Sequence, residues 1–94
     1  MNAEPLRLTL YYREGCHLCQ TMLQALRGLQ PCLRFELALV DIDGDPDLQK
    51  RYDEWVPVLS EGETEICHYH LDEAALVGRF GRRAAAPLQG SLCL

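Results

Sequence analysis

Two cysteines separated by two residues, Cys16 and Cys19, are the side chains whose type and spacing point most directly to chemistry in this chain of 94 residues. The apolar run 6–12 is typical of a strand, and from residue 17 apolar residues recur at helical spacing. The pair therefore lies where a strand passes into a helix. Free backbone N–H groups and the positive end of the helix dipole stabilise a thiolate there. The second sulfur, three residues on, can close a small disulfide ring.

The position of each cysteine predicts its role in thiol–disulfide exchange. Cys16 lies just ahead of the predicted helix, so we expect an accessible thiol with a pKa below its usual value of about 8.5. Arg13 adds positive charge nearby, opposed by Glu14. Cys19 lies one turn inside the helix and is the expected resolving thiol, which attacks a mixed disulfide at Cys16 and releases the reduced partner. His17 either tunes Cys16 electrostatically or is an exposed polar residue of the loop.

The chain contains five cysteines, an odd number whose spacing does not resemble that of a disulfide-stapled secreted domain. We therefore expect a reducing, cytoplasmic compartment with one redox pair and three thiols without a role. Those three are Cys32, Cys67 and Cys93. Two alternatives stay open: a metal-binding module that uses Cys16 and Cys19, since Cys and His are the usual zinc ligands, and an adaptor protein without redox turnover. No second Cys-x-x-Cys is present, so we predict no metal.

The bulk composition is that of one small globular domain. A net charge of −5 argues against nucleic-acid binding as the main function, and an apolar fraction of 48% is ordinary. No stretch is long and apolar enough to cross a membrane, and the N-terminal residues lack the apolar core of a signal peptide. The aspartates that alternate over residues 41–47 are typical of a solvated surface. We expect a monomer with one domain over residues 1–81 and a loosely held tail over 82–94.

Apolar periodicity and turn residues divide the chain into seven elements that must position the cysteines. Four strands are predicted over residues 6–12, 33–40, 57–60 and 63–68. Three helices are predicted over residues 17–29, 46–52 and 72–80. Gly28 and Pro31 are expected to end the first helix, and Asp45 with Pro46 to begin the second. A right-handed parallel β-α-β unit followed by an antiparallel hairpin gives an α/β fold, β-α-β-α-β-β-α, with a four-stranded mixed sheet and three helices.

Three segments carry a resemblance to a known family. They are YYREGCHLC at residues 11–19, VDID at 40–43 and WVPVL at 55–59. Together with the order of elements, these segments are similar to those of small bacterial glutaredoxin-like proteins, the minimal form of the thioredoxin-like fold, over about residues 6–80. The resemblance implies thiol–disulfide oxidoreductase activity. It also implies a cis peptide bond between Val56 and Pro57 that faces the cysteine pair and leaves the Val56 backbone free to pair with a substrate.

Partners and cofactors follow from the same resemblance. We expect a protein or small-molecule disulfide as substrate, held by Arg13, Val56 and Pro57, and the thioredoxin or glutathione system as electron donor. Glutaredoxins usually carry a glycine-rich turn before the last helix that holds the glutathione carboxylate, and residues 68–73 of this chain contain no glycine. We therefore predict weak glutathione binding and no cofactor. Tyr52 and Trp55 are expected to belong to the core.

Overall fold

The computed structural model describes residues 6–81, which form a four-stranded mixed sheet and three α-helices in the predicted order. The strands are β1 (Leu6–Tyr12), β2 (Phe35–Asp41), β3 (Val58–Glu61) and β4 (Thr64–His68). The α-helices are α1 (His17–Leu33), α2 (Pro46–Tyr52) and α3 (Glu73–Gly81). A 3-10 turn, Ile42–Gly44, which the sequence did not predict, joins β2 to α2. The predicted tail over residues 82–94 lies outside the described residues.

The order of the strands in the sheet is β2-β1-β3-β4. Strands β1 and β2 are parallel, as a β-α-β unit requires, whereas β3 runs antiparallel to β1 and β4 antiparallel to β3. Strand β1 therefore ends at Tyr12 on the same side of the sheet where β3 begins at Val58 and β4 ends at His68. We call this side the Tyr12 end of the sheet. The loops that leave it carry Cys16, Pro57 and the start of α3.

The hydrophobic core lies between one face of the sheet and helices α1 and α3. Strand β1 contributes alternate leucines to it, because successive side chains of a strand point to opposite faces. The buried members of this cluster are Leu6, Leu8, Leu10, Met22, Leu26, Leu33, Phe35, Leu59 and Leu76. Helix α2 lies against the other face, where the rings of Tyr52 and Tyr11 stack with their centroids 4.4 Å apart. The cysteine pair is thus carried by a helix anchored on the sheet.

Helix α1 is longer than predicted, because it runs through Gly28 and Pro31 to Leu33. A glycine inside a helix costs only about 1 kcal/mol relative to alanine. Pro31 lies in the last turn, where it removes only one backbone hydrogen bond. The helix ends where Arg34 takes a left-handed conformation (φ 55°) and donates its N–H to the Gln30 carbonyl at 2.8 Å. Burial of Leu33 in the core offsets the weak helix propensity of this turn.

The other boundaries lie close to those predicted, and local signals account for them. The Asp45 carboxylate accepts the Asp47 N–H at 2.9 Å, and Pro46 occupies the first turn of α2. Gly62 adopts a positive φ of 61° in the turn between β3 and β4, where an L side chain would be strained. None of the helices in residues 6–81 is both long and apolar enough to span a bilayer.

Candidate active site

Cys16 and Cys19 lie together at the beginning of α1, and their sulfur atoms are joined as a disulfide. Cys16 is the N-cap of the helix, and its Sγ accepts the Cys19 backbone N–H at 3.1 Å. Their Cα atoms are 5.2 Å apart. Cys16 is half-buried, whereas Cys19 is 3% exposed and faces the core. The two sulfurs therefore differ in access to solvent although they are in contact.

This arrangement favours a thiolate at Cys16 once the disulfide is reduced. The Cys19 N–H is one of the helix donors that have no partner within the helix, and the helix dipole places partial positive charge at the same point. Both stabilise negative charge on the Cys16 sulfur and so favour a lowered pKa. Gly15, with φ 80°, makes the tight turn that brings Cys16 to the helix start. His17 is exposed on the first turn.

Cys67 is a free thiol outside the pair, and its surroundings disfavour the thiolate form. It lies on β4 and packs against the core. Burial raises the pKa of the Cys67 thiol, more than the backbone hydrogen bond from Asp72 lowers it. The two cysteines should therefore ionise in different pH ranges.

We expect alkylation of the reduced protein at about pH 6 to label Cys16 first. A pKa one unit lower gives about ten times more thiolate at that pH, so Cys16 should react about tenfold or more faster than Cys67. Labelling of Cys67 should rise only when the pH exceeds the usual pKa of a thiol, because burial raises the pKa of Cys67. Peptide mapping by mass spectrometry after timed quenching measures both rates. Equal labelling of Cys16 and Cys67 at pH 6 would contradict the assignment.

Val56 and Pro57 lie at the Tyr12 end of the sheet, beside the loop that carries the cysteines. Their peptide bond is cis, as the family resemblance implied. Tyr11 pairs with Val58 across β1 and β3, which brings Pro57 next to the end of β1. Pro57 is buried and its carbonyl accepts the Tyr69 N–H at 2.9 Å. The structure thus places these residues and the cysteine pair at the same end of the sheet, and their role in substrate binding stays a prediction.

Arg13 connects the cysteine loop to two other segments. Its guanidinium forms hydrogen bonds to Asp43, through Nε at 3.1 Å and Nη2 at 3.0 Å, and to Asp53, through Nη1 at 3.0 Å. These hydrogen bonds raise the pKa of Arg13, and the bond to Asp43 has the larger effect. The Arg13 carbonyl accepts the Cys16 N–H at 3.3 Å. We call this arrangement the Arg13 clamp. It engages both sides of the guanidinium, and a substrate-binding role for Arg13 stays a prediction.

Removal of the Arg13 clamp is expected to slow the reactions of Cys16. Arg13→Ala frees the 13–16 loop from Asp43 and Asp53, and a misplacement of about 1 Å can cost about a hundredfold in rate. We expect a loss of about tenfold in the rate of disulfide reduction. The rate of Arg13→Lys should lie between those of the wild type and Arg13→Ala, because an ammonium cannot form the same forked pair of hydrogen bonds.

Arg27→Ala is the matched control for the Arg13 clamp. Arg27 is an exposed residue of α1 that forms no ion pair with the described residues, so its removal should leave the rate unchanged. Stopped-flow reduction of a small disulfide by each reduced variant measures the effect. Equal rates for Arg13→Ala and Arg27→Ala would show that the clamp does not position Cys16.

Trp55 is not a core residue, which makes that prediction wrong. Its side chain is 49% exposed, because the chain turns into the sheet only at the following Val56 and Pro57. The indole stacks on Tyr69 with centroids 5.8 Å apart and meets His68 edge-on at 5.1 Å. We call these three residues the Trp55 cluster. Tyr52 is half-buried under Tyr11 on the α2 face of the sheet and is not among the buried residues of the core cluster, so it too differs from the prediction.

Two features of the site carry no local signal in the sequence. The carboxylates of the Arg13 clamp lie 30 and 40 residues away from Arg13. Asp43 belongs to the run that was expected to be a solvated surface. Tyr69 takes a left-handed conformation, with φ 65°, in the segment 68–73, which contains no glycine. Within the described residues, no group of three or more His, Cys, Asp or Glu side chains is arranged to hold a metal ion.

Comparison with known proteins identifies relatives over most of the chain. A family profile described as Glutaredoxin-like domain (DUF836) matches residues 7–80. Among solved structures, protein Ne2328 from Nitrosomonas europaea is 42% identical, with 84% of this chain and 95% of that chain covered and a TM-score of 0.75. XcR50 from X. campestris is 34% identical, with 85% of this chain and 99% of that chain covered and a TM-score of 0.59.

A more distant likeness concerns the fold alone. Fasciola hepatica thioredoxin is 19% identical, with 85% of this chain and 82% of that chain covered and a TM-score of 0.56. The mixed sheet and its three helices are therefore arranged as in thioredoxin-like proteins. None of the curated proteins compared with this chain gives a significant match.

Proposed function

The chain belongs to the glutaredoxin-like domain family (DUF836), and from that premise we propose that it is a thiol–disulfide oxidoreductase. The observation that carries the proposal is the contact between the Cys19 N–H and the Cys16 Sγ at the helix start. A sulfur held there is stabilised as a thiolate and as a leaving group. The buried Cys19 sulfur lies within bonding reach of it, as the disulfide between them requires.

The proposed reaction moves two electrons from the reduced pair to a disulfide substrate. The Cys16 thiolate attacks one substrate sulfur, the substrate S–S bond breaks, and the leaving thiolate takes a proton. Cys19 then loses its proton and attacks the Cys16 sulfur of the mixed disulfide. The bond between Cys16 and the substrate breaks, and the second substrate thiol leaves. The products are the Cys16–Cys19 disulfide and two substrate thiols, and the two protons released by the pair balance those taken up by the substrate.

The oxidised pair must be reduced again by an external thiol or dithiol. The thioredoxin and glutathione systems are the two classes of donor that this chemistry accepts. The proposal needs no metal and no bound cofactor, and it places the protein, as a monomer, in the reducing environment of the cytoplasm. A protein disulfide or a small-molecule disulfide can serve as substrate.

Weak glutathione binding is part of the proposal. The segment between β4 and α3 has no glycine, and the Asp72 carboxylate accepts the Ala75 N–H at 3.0 Å as a cap of α3. Arg13, the cation nearest the cysteines in the sequence, is engaged by two carboxylates. Each missing charge-assisted hydrogen bond to glutathione forfeits roughly 1.5–3 kcal/mol, or about ten- to a hundredfold in affinity.

Equilibration of the protein with buffers of defined thiol–disulfide ratio tests the proposal. We expect one two-electron transition, seen by mass spectrometry as the loss of two hydrogens mapped to Cys16 and Cys19. The reduced protein should also reduce a small disulfide in stoichiometric amount. A pair that stays reduced throughout, or a disulfide that forms between Cys16 and Cys67 instead, would contradict the proposed activity.

A further inference from the structure

A pocket of about 380 Å³ lies between the first two turns of α1 and the ends of β1 and β2. Its lining includes three leucines, an aromatic ring and one member of the redox pair, namely Leu10, Tyr12, Gly15, Cys19, Leu23 and Leu39. We call it the Leu39 pocket, and we propose that it binds a large apolar side chain next to the cysteine of a disulfide-bonded polypeptide. The effect of this site on turnover rests on the proposed function, whereas the binding itself does not.

The pocket exists because α1 leaves the end of β2 uncovered. Leu39, Leu10 and Leu59 are paired in one row across β2, β1 and β3, so their side chains share the face on which α1 and α3 pack. Leu10 and Leu59 are 1% and 0% exposed, whereas Leu39 is 41% exposed. Phe35, at the beginning of β2, is buried in the core. The cover is therefore lost towards the Tyr12 end of the sheet, where the cysteines lie.

The lining of the pocket suits an uncharged, apolar group. Its three leucines and the Tyr12 ring offer apolar surface, and removing such surface from water on binding is favourable. Of the charged residues at its rim, Arg13 is already held by the two carboxylates of the Arg13 clamp, and Glu14 forms no ion pair with other described residues. Among the described residues, the rim therefore has a free carboxylate but no free cation, which disfavours anionic ligands such as glutathione.

The pocket begins within one residue of Cys16. Gly15, which lines it, directly precedes Cys16, and Cys19 is joined to Cys16 by the disulfide. Neighbouring Cα atoms of a polypeptide are about 3.8 Å apart, so a residue next to the substrate cysteine lies close to the pocket when that cysteine is bonded to Cys16. The side chain that enters the pocket is therefore expected at a position adjacent to the substrate cysteine.

A polypeptide can reach the pocket without leaving the rest of the candidate site. Strands β2 and β3 flank β1 on opposite sides, so the pocket and Pro57 lie on opposite sides of the cysteine loop. Strand β2 is an edge strand of the sheet and Leu39 is exposed, so a side chain can enter while its backbone stays in solvent. A substrate that crosses Cys16 is thereby held on both sides. The volume of the pocket lies near the lower end of those that hold small molecules, which is sufficient for one large side chain.

Single-turnover reduction of peptide disulfides tests the proposal. Two symmetric peptide disulfides carry either leucine or asparagine on both sides of the cysteine, because these two side chains are similar in size and differ in polarity. We expect the reduced protein to react about three- to tenfold faster with the leucine peptide, which is the range for partial burial of one leucine. Each rate is divided by the rate with dithiothreitol, which removes differences in the intrinsic reactivity of the disulfides.

Variants at Leu39 show whether the preference arises in the pocket. Leu39→Asn should lower the ratio at least about twofold, and Leu39→Glu should make a lysine peptide react about two- to fivefold faster than it does with the wild-type protein. Val77→Asn, at a similarly exposed residue of α3, is the matched control and should keep the wild-type ratio. A wild-type ratio near one, or equal effects of Leu39→Asn and Val77→Asn, would overturn the proposal. Faster reduction of diisobutyl disulfide than of the leucine peptide, after the same correction, would assign the pocket to small molecules and overturn it as well.

A binding measurement on the wild-type protein distinguishes failure of the pocket from failure of the redox function. Peptides with serine in place of cysteine are titrated to millimolar concentration into the oxidised protein. The backbone N–H signal of Gly15 and the side-chain N–H signals of Gln20, which both line the pocket, are followed by NMR. The leucine peptide should shift these signals more than the asparagine peptide. Discrimination without any turnover would overturn the oxidoreductase proposal and leave the pocket in place. Turnover with equal shifts, or with none, would overturn the pocket alone.

Discussion

Replacement of Cys16 by serine is expected to reduce disulfide reduction to the rate of the uncatalysed reaction. A serine hydroxyl is not ionised near neutral pH, and the helix-start environment that stabilises a thiolate cannot make it attack sulfur. The N-cap is meanwhile preserved, because serine accepts the same backbone hydrogen bond. The variant should therefore stay folded, and circular dichroism with a denaturant titration checks this. Measurable turnover by folded Cys16→Ser would remove Cys16 as the nucleophile.

Replacement of Cys19 by serine should stop the reaction after its first step. Cys16 can still attack, but the thiol that releases the partner is absent, so a mixed disulfide accumulates. Intact-mass spectrometry should show the protein plus one half of the substrate, attached at Cys16. Cys67→Ala is the matched control, because it removes a half-buried thiol outside the pair and should keep the rate. A mixed disulfide found mainly on Cys67 would contradict the roles assigned to the pair.

The sequence predicted those parts of the molecule that depend on neighbouring residues. The cysteine pair at a helix start, the Asp45 cap and the Gly62 turn each need only a few consecutive residues, and the structure contains all three. The right-handed crossover expected for the β-α-β unit follows from the chirality of L-residues, which is the same for every chain. Helix α1 was predicted too short because Gly28 and Pro31 are local stop signals, and the burial of Leu33 offsets their cost.

The parts that the sequence did not predict depend on distant contacts. Arg13 selects Asp43 from a row of similar aspartates only because the 3-10 turn after β2 brings it close. Trp55 has the large apolar side chain typical of a core residue, but its exposure is decided by where the chain enters β3. No local pattern carries this information, because each contact joins segments that are separated along the chain.

Leu26→Ala is expected to lower the free energy of unfolding by about 2–5 kcal/mol. Leu26 is completely buried where α1 packs on the sheet, so truncation removes apolar contacts and leaves a cavity. A domain of this size has a stability of about 5–15 kcal/mol in total, so the loss is a large share of it. Urea unfolding followed by circular dichroism measures the change. Val77→Ala, at a residue that is 38% exposed, should change stability by less than about 0.5 kcal/mol.

The same variant separates the stability of α1 from the chemistry at its start. The Cys16 environment is built from groups within one turn, namely the Cys19 N–H and the helix dipole, and Leu26 is two turns further along. Below its unfolding transition, Leu26→Ala should therefore reduce disulfides at the wild-type rate per folded molecule. A stability loss under about 1 kcal/mol would contradict the packing of α1 on the sheet. The expected stability loss accompanied by a slower reaction of Cys16 would show instead that the packing of α1 on the sheet controls the Cys16 thiolate.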